Sequence, residues 1–154
     1  MSTVDSLRLK LGVTKSKIVD EGIAAAEEFF RNTIGQDAEA WVGYLRAIDF
    51  HKRVHAEWIP RGTRLIRYES TGDRTLKPFV YFTRPGTSPT SLGTSFASVD
   101  YKEFEIDRPV RALVSTASGI SFGLQDRVSR AGGGIQYIVA FRDAPSLARV
   151  GSRK

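Results

Sequence analysis

The hydrophobic period of the chain changes at Phe50, and that change limits the folds open to it. Residues 15–34, KSKIVDEGIAAAEEFFRNTI, place Ile18, Gly22, Ala26, Phe29, Phe30 and Thr33 on one helical face and turn Glu27 and Glu28 outward. Gly35 then supplies a helix stop. Asp37 is positioned to cap a second helix, AEAWVGYLRAI, whose apolar stripe is Trp41, Leu45 and Ile48. The short link between them predicts a helical hairpin. Beyond Phe50 the segments EWIPRGTRLIRYE, KPFVYFTR, DYKEFEI, VRALVST and IQYIVAF are short, rich in β-branched and aromatic residues, and separated by Gly, Pro, Ser and Asp. In DYKEFEI, Tyr101, Glu103 and Glu105 fall on one face, Phe104 and Ile106 on the other. The expectation is an α+β fold in one globular unit. Residues 1–50 form a helical segment and residues 51–154 a mostly antiparallel, β-rich core.

Composition removes several function classes. The chain of 154 residues contains no cysteine, which excludes a disulfide framework, a thiolate nucleophile and any cysteine-based zinc site. Its apolar runs are far shorter than a membrane span. The opening MSTVDSLRLKLGV lacks the apolar core of a Sec signal, so an export route without one is expected. A formal net charge of +6 suits an anionic partner, whether nucleic acid, a small anionic molecule or an acidic protein. The basic residues are dispersed, however, and a solvated basic surface is the plainer reading.

Candidate chemistry starts with HKRVH, where His51 and His55 have the spacing of a helical zinc pair. Lys52 and Arg53 stand between them, the glutamate of the zincin pattern is missing, and Pro60 argues that the helix has ended. Surface histidines are the reading preferred over a metal pair or a ribonuclease-type acid–base pair. Glu103-x-Glu105 resembles the carboxylate pair of arginine-type ADP-ribosyltransferases, and STAS at 115–118 their Ser-Thr-Ser strand. The order of the two is reversed here, so the glutamates read as a solvent-facing strand edge. Arg64 and Arg67 lie on one strand and Arg84 ends the next, followed by a turn carrying Thr87 and Ser88. Guanidinium forks, hydroxyls and turn N–H groups together suit diphosphate oxygens. In AGGGIQYIVAF a triple glycine runs into a strand whose first inward position is an amide, Gln136. Taken alone, that is a hairpin turn entering a core strand, with Gln136 satisfied by backbone.

The succession W-IPRGTRLIRY, YFTRPGTSPTSLG, Y-x-F-E-I-x-RPV, ALVSTAS and GGGIQYIV resembles the toxin domain of the type-46 polymorphic-toxin group, over residues 54–142. That group includes NAD-degrading effectors of the type VI secretion system. A looser similarity extends to the tuberculosis necrotizing toxin, an NAD glycohydrolase. The resemblance implies a compact relative of the ADP-ribosyltransferase fold without its catalytic glutamate, hydrolysing NAD or NADP. Carried over by position, the glutamine after the glycine run is Gln136. The dinucleotide-holding arginine is Arg67, with Arg64 the alternative. The aromatic before the Pro-Gly-Thr turn is Tyr81, and that upstream of the glycine run is Phe122. The resemblance makes Gln136 and Arg67 the catalytic pair, with Arg64, Tyr81, Arg84, Thr87, Ser88, Ser115, Phe122 and Gly134 binding substrate. Lys77-Pro78-Phe79-Val80 departs from the family's glycine before the aromatic pair, and Thr90 or Ser91 stands where the necrotizing toxin has a second arginine.

The chemistry implied needs no metal and no cofactor beyond NAD(P) as substrate, because nicotinamide leaves as a neutral ring. A cognate immunity protein blocking the site is the expected partner, with a secretion machine or a larger effector chain as carrier; neither membrane nor nucleic acid is expected as a target. Synthesis in a bacterial cytoplasm and action in the cytoplasm of a target bacterium are expected. The alternatives are a mono-ADP-ribosyltransferase, a basic RNA-targeting toxin or RNase, and an interaction domain without chemistry.

Overall fold

A computed structural model describes residues 2–70, 78–86, 99–118, 120–122, 126–130 and 133–153. Helix α1, Thr3–Leu11, starts on Ser2, whose Oγ accepts from the Asp5 N–H at 3.1 Å, and stops at Gly12 in the left-handed region. It buries little but Leu7, too narrow a stripe for periodicity to reveal; its sequence signals are the Ser2-x-x-Asp5 cap and the Gly12 stop. Helix α2, Lys17–Phe29, is capped by Ser16 and buries Val19, Gly22, Ile23, Ala26 and Phe29. Gly22, Ala26, Phe29, Phe30 and Thr33 are buried as expected, whereas Ile18 is exposed at the start of the helix and Val19 and Ile23 complete the buried stripe. A π-helical turn, Phe30–Ile34, closes α2, and Gly35 ends it at φ 88°. The adjacent Phe29 and Phe30 both reach the core at this junction.

The second helix of the expected hairpin is shorter than its pattern. It divides into a 3₁₀ turn, Ala38–Trp41, and a single α turn, α3, Val42–Leu45. Asp37 makes no capping bond. Trp41 leaves helical geometry and donates its indole N–H to Gln36 at 2.9 Å, and Gly43 weakens the helix just beyond it.

Nine strands follow among the described residues: β1 His55–Ile59, β2 Arg64–Ser70, β3 Phe79–Thr83, β4 Val99–Ile106, β5 Val110–Thr116, β6 Ile120–Phe122, β7 Asp126–Arg130, β8 Ile135–Ala140 and β9 Leu147–Arg153. Seven form one antiparallel sheet in the order β1-β5-β8-β3-β2-β4-β9, and β6 pairs with β7. The mixed α+β architecture expected from the sequence is therefore the one found. One correction concerns β4, which is not an edge: β9 covers its outer side, from Tyr101↔Arg153 to Ile106↔Leu147. The weakly alternating LARVGSR gave no clear strand signal.

The sheet cannot be flat. β1 and β2 stand four places apart, which in a flat sheet is about 19 Å at ~4.8 Å per strand. The chain passes from Ile59 to Arg64 in five steps, about 17 Å even when fully extended. It is not extended, since Gly62 sits at φ 89° in a tight turn where the Thr63 N–H donates to the Pro60 carbonyl at 3.3 Å. The turn is also tied to β4, Gly62 N–H to Ile106 carbonyl at 2.7 Å and Ile106 N–H to Thr63 carbonyl at 2.9 Å. The sheet must curl until β1 and β2 meet at this turn. Ile59, Leu65 and Ile106, from β1, β2 and β4, accordingly share one apolar cluster with Val80, Phe82 and Val139. The bend falls at the β3–β2 junction, where one registered pair, Ile66↔Thr83, joins the strands among the described residues.

The outer face of β3, β5 and β8 carries the helices. Phe79, Leu113, Ile138 and Ala140 pack there with Leu7, Ile23, Phe29, Phe30 and Leu45. The first fifty residues thus share a core with the sheet. Gly22 is where α2 approaches the segment leading into β1: a Cβ there would meet Val54 Cβ at 3.2 Å and Phe50 Cδ1 at 3.3 Å. Gly22→Val should lower stability by about 2 kcal/mol through overpacking, measured by urea denaturation, whereas relief of glycine's helix cost alone would raise it.

Candidate active site

Alternation along β8 assigns its side chains to two faces, and both are covered, so Gln136 through Ala140 are all buried. Gln136 points to the helix side. Its neighbours across the ladder are Ser115 on β5 and Thr83 on β3, and Thr83 is itself paired with Ile66 on β2. One row therefore carries hydroxyl, amide and hydroxyl, and it ends at the bend of the sheet. Gln136 is 5% exposed, Ser115 and Thr83 1% each. Thr83 Oγ1 donates to the Ile135 carbonyl at 2.5 Å, and Gln136 Nε2 donates to the Ala47 carbonyl at 3.4 Å, a long contact. Ser115 Oγ is buried with no hydrogen-bond partner among the described residues. A loosely held amide beside an unpartnered hydroxyl is uncommon inside a protein and marks a place where a polar ligand or water gains bonds.

The segment after α3 lies over this row. Ile48 bridges to Ala117, the Asp49 N–H donates to Thr116 carbonyl at 2.8 Å, and the Ser118 N–H to Ala47 carbonyl at 2.8 Å. Ser118 Oγ adds a bond to Arg46 carbonyl at 2.9 Å. Ala117 in turn pairs with the glycine run, its N–H to Gly134 carbonyl and the Gly133 N–H to its own carbonyl, both at 2.8 Å. Gly133 holds φ 90°, which a side chain disfavours although space is open around it. Residues 46–49, the β5 end and the glycine run are thus one hydrogen-bonded unit around Gln136.

The inner face of the curl carries charge at the same end. Tyr137, adjacent to Gln136, points inward, and Arg84 follows Thr83. Arg84 Nε donates to the Tyr137 hydroxyl at 2.5 Å, and its guanidinium carbon lies 5.8 Å from the ring centroid. That hydrogen bond is the main cause of an Arg84 pKa above its ordinary value, with Glu57 on β1 adding to it. Arg67, next to Ile66, alternates to the inner face and stands opposite Lys102 of β4 in register. His55 pairs its Nε2 with Glu57 at 3.3 Å from β1.

Arg67 and Gln136, expected to act together, therefore project from opposite faces of the sheet, while Arg64 shares Gln136's face. Arg64 is engaged by Glu103 at 3.1 Å and Glu105 at 3.7 Å, so these carboxylates serve as its counterions within the sheet. Tyr81 lies in the helix-side core, its ring 5.7 Å from that of Phe79 and its hydroxyl donating to the Tyr44 carbonyl at 3.2 Å. Burial pushes its phenol well above the ordinary value. Gly134 lies in the glycine run, and Phe122 lies on β6. Thr87 and Ser88 fall outside the described residues. His51 is exposed and His55 stands on a strand, and the described residues contain no cluster of three or more metal-binding side chains. Sequence reasoning passed over Thr83, the Ala47 carbonyl, Tyr137 and Lys102. Register supplies the first and last, and only tertiary folding supplies the carbonyl.

No protein-family model matches the chain, and no curated sequence does. Among solved structures it is similar to Tse6, solved in complex with Tsi6, with a TM-score of 0.71 at 20% identity over 89% of this chain and 99% of that one. Rhs1-CT, solved with its cognate immunity protein RhsI1, gives 0.43 at 15% identity over 65% of this chain and 79% of that one. The likeness to Tse6 is one of fold.

Tyr81 supplies a test of the wall behind the site. Its pKa is raised, so its contribution to stability is complete below 10.0, the ordinary value, and declines as pH rises above it. Tyr81→Phe should cost about 1 kcal/mol at pH 7 by removing the bond to Tyr44, and should lose less than the parent between pH 10 and 11 in denaturant titrations.

Proposed function

We propose that this chain is an interbacterial toxin of the type-46 kind that hydrolyses NAD or NADP to nicotinamide and ADP-ribose or its phosphate. The observation that carries the proposal is the buried row of Ser115, Gln136 and Thr83 at the bend of the sheet, with its long amide contact and unpartnered hydroxyl. The sequence resemblance assigns the family glutamine to Gln136, and the fold likeness to Tse6 supports the toxin reading as a whole.

The reaction suits a neutral site. The bond between ribose C1′ and the nicotinamide ring nitrogen breaks, and its electron pair returns to the ring, which leaves uncharged. The oxocarbenium-like carbon takes the oxygen of water, and a proton passes to solvent. No group need protonate the leaving nitrogen. The protein's task is to hold the ribose, place one water and stabilise developing positive charge. The Gln136 amide can donate from Nε2 and accept at Oε1, so it can orient a ribose hydroxyl and a water together. Ser115 Oγ stands beside it to take one further bond. Arg84 and Arg67, with planar N–H forks, hold the diphosphate around the end of β3, the strand that separates them from Gln136.

The likeness to Tse6, a protein held by Tsi6, supports a dedicated immunity partner for this chain too. A basic surface suits an acidic partner of that kind. Delivery by a type VI secretion system, and action in the target cytoplasm, belong to the same reading.

Purified chain mixed with NAD should release free nicotinamide, and Gln136→Ala should reduce the rate by about 100-fold or more with the fold intact by circular dichroism. Unchanged turnover in that variant would remove Gln136 from the mechanism.

A further inference from the structure

The inner face of the curled sheet carries a constellation that the hydrolysis chemistry does not itself require. Tyr137 is 2% exposed and sits within the apolar cluster that joins the two blocks of the sheet. Its hydroxyl accepts from Arg84 Nε at 2.5 Å, and the guanidinium carbon lies 5.8 Å from the ring centroid. Arg84 itself is exposed. An arginine held through Nε by a buried phenol has a restricted orientation, and its two Nη groups are left to other acceptors. That pair suits a bidentate contact with phosphate. Two more cations face the same way: Arg67 on β2 and Lys102 opposite it on β4. The single rung Ile66↔Thr83 places Arg67 and Arg84 on the residues immediately beyond its two partners, so they flank the bend diagonally. Among the described residues, Glu57 on β1 is an acidic side chain that acts on Arg84, and it also pairs with His55.

We infer that Tyr137 is a positioning residue that fixes Arg84 as one arm of a phosphate clamp, with Arg67 and Lys102 as the others, on the inner face of the sheet. The inference deepens the hydrolase reading and rests on it for the identity of the ligand, a nucleoside diphosphate. It adds two residues, Tyr137 and Lys102, and separates the phosphate contacts from the amide row by the thickness of the sheet.

The test uses the full chain, inorganic pyrophosphate and ADP-ribose as binding probes, and NAD as substrate. Tyr137→Phe keeps the ring and removes only the acceptor. It should weaken pyrophosphate and ADP-ribose binding by about 5- to 10-fold and raise KM similarly, with kcat within about twofold. Lys102→Ala should do the same. Arg84→Ala should lose at least as much as Tyr137→Phe, and adding Tyr137→Phe to it should cost nothing further, because the phenol acts only through that arginine. Arg84→Lys should behave like Arg84→Ala, since an ammonium cannot hold the phenol and the phosphate in the same plane. A purely structural Tyr137 would give the opposite pattern: a lowered Tm, a fall in kcat, and the same loss whether or not Arg84 is present. Turnover of NAD with unchanged binding in Tyr137→Phe would overturn the clamp and leave the hydrolase standing. Pyrophosphate binding that weakens in Tyr137→Phe, in a chain that does not cleave NAD, would support the clamp and overturn the hydrolase.

Discussion

The connection between β1 and β2 constrains everything else in this fold. Four residues cannot bridge strands four places apart in a flat sheet, so the sheet curls, and curling gives it two unlike faces. The inner face fills with side chains from both blocks, Leu65 and Ile106 meeting Val80 and Val139. The outer face of β3, β5 and β8 must then be covered by something other than sheet, and the N-terminal helices cover it. The bend itself falls where β3 meets β2 through a single rung. Strand pairing is thinnest there, and the polar residues gather there: Thr83 and Gln136 outside, Arg84 and Arg67 inside.

A site at such a bend divides its work. The outer row is neutral, nearly buried, and closed by residues 46–49, whose backbone is tied to the end of β5 and through Ala117 to the glycine run. It suits a step in which positive charge develops and water must be admitted singly. The inner face is cationic and anchored by Tyr137, and it suits the anionic part of a ligand. A dinucleotide has both parts, a cationic nicotinamide ribose at one end of a diphosphate.

Much of this was legible in the sequence, for reasons that differ by element. The switch of period at Phe50 gave the α+β class, and the five β-rich segments all became strands of the main sheet. Alternation in DYKEFEI assigned Ile106 to the core, where it lies fully buried. The losses came from long-range facts. Nothing local distinguishes an edge strand from one covered by LARVGSR, so Glu103 and Glu105 read as a strand edge when β9 lies beyond them, and at the solvent-accessible surface they pair with Arg64. The pattern of AEAWVGYLRAI carried a correct stripe, Leu45 and Ile48 being buried, but not the backbone break at Trp41. The candidate residues could be named one at a time, yet whether Arg67 and Gln136 share a face depends on a register pair that only the folded sheet fixes.

The central claim is that this chain transfers ADP-ribose to water. The most direct measurement is mass spectrometry of the products after incubation with NAD in ¹⁸O-enriched water, with no other acceptor present. The account predicts stoichiometric nicotinamide and free ADP-ribose that has gained one heavy oxygen, with no mass added to the protein. ADP-ribose found attached to protein, or no cleavage at all by the folded chain, would contradict it.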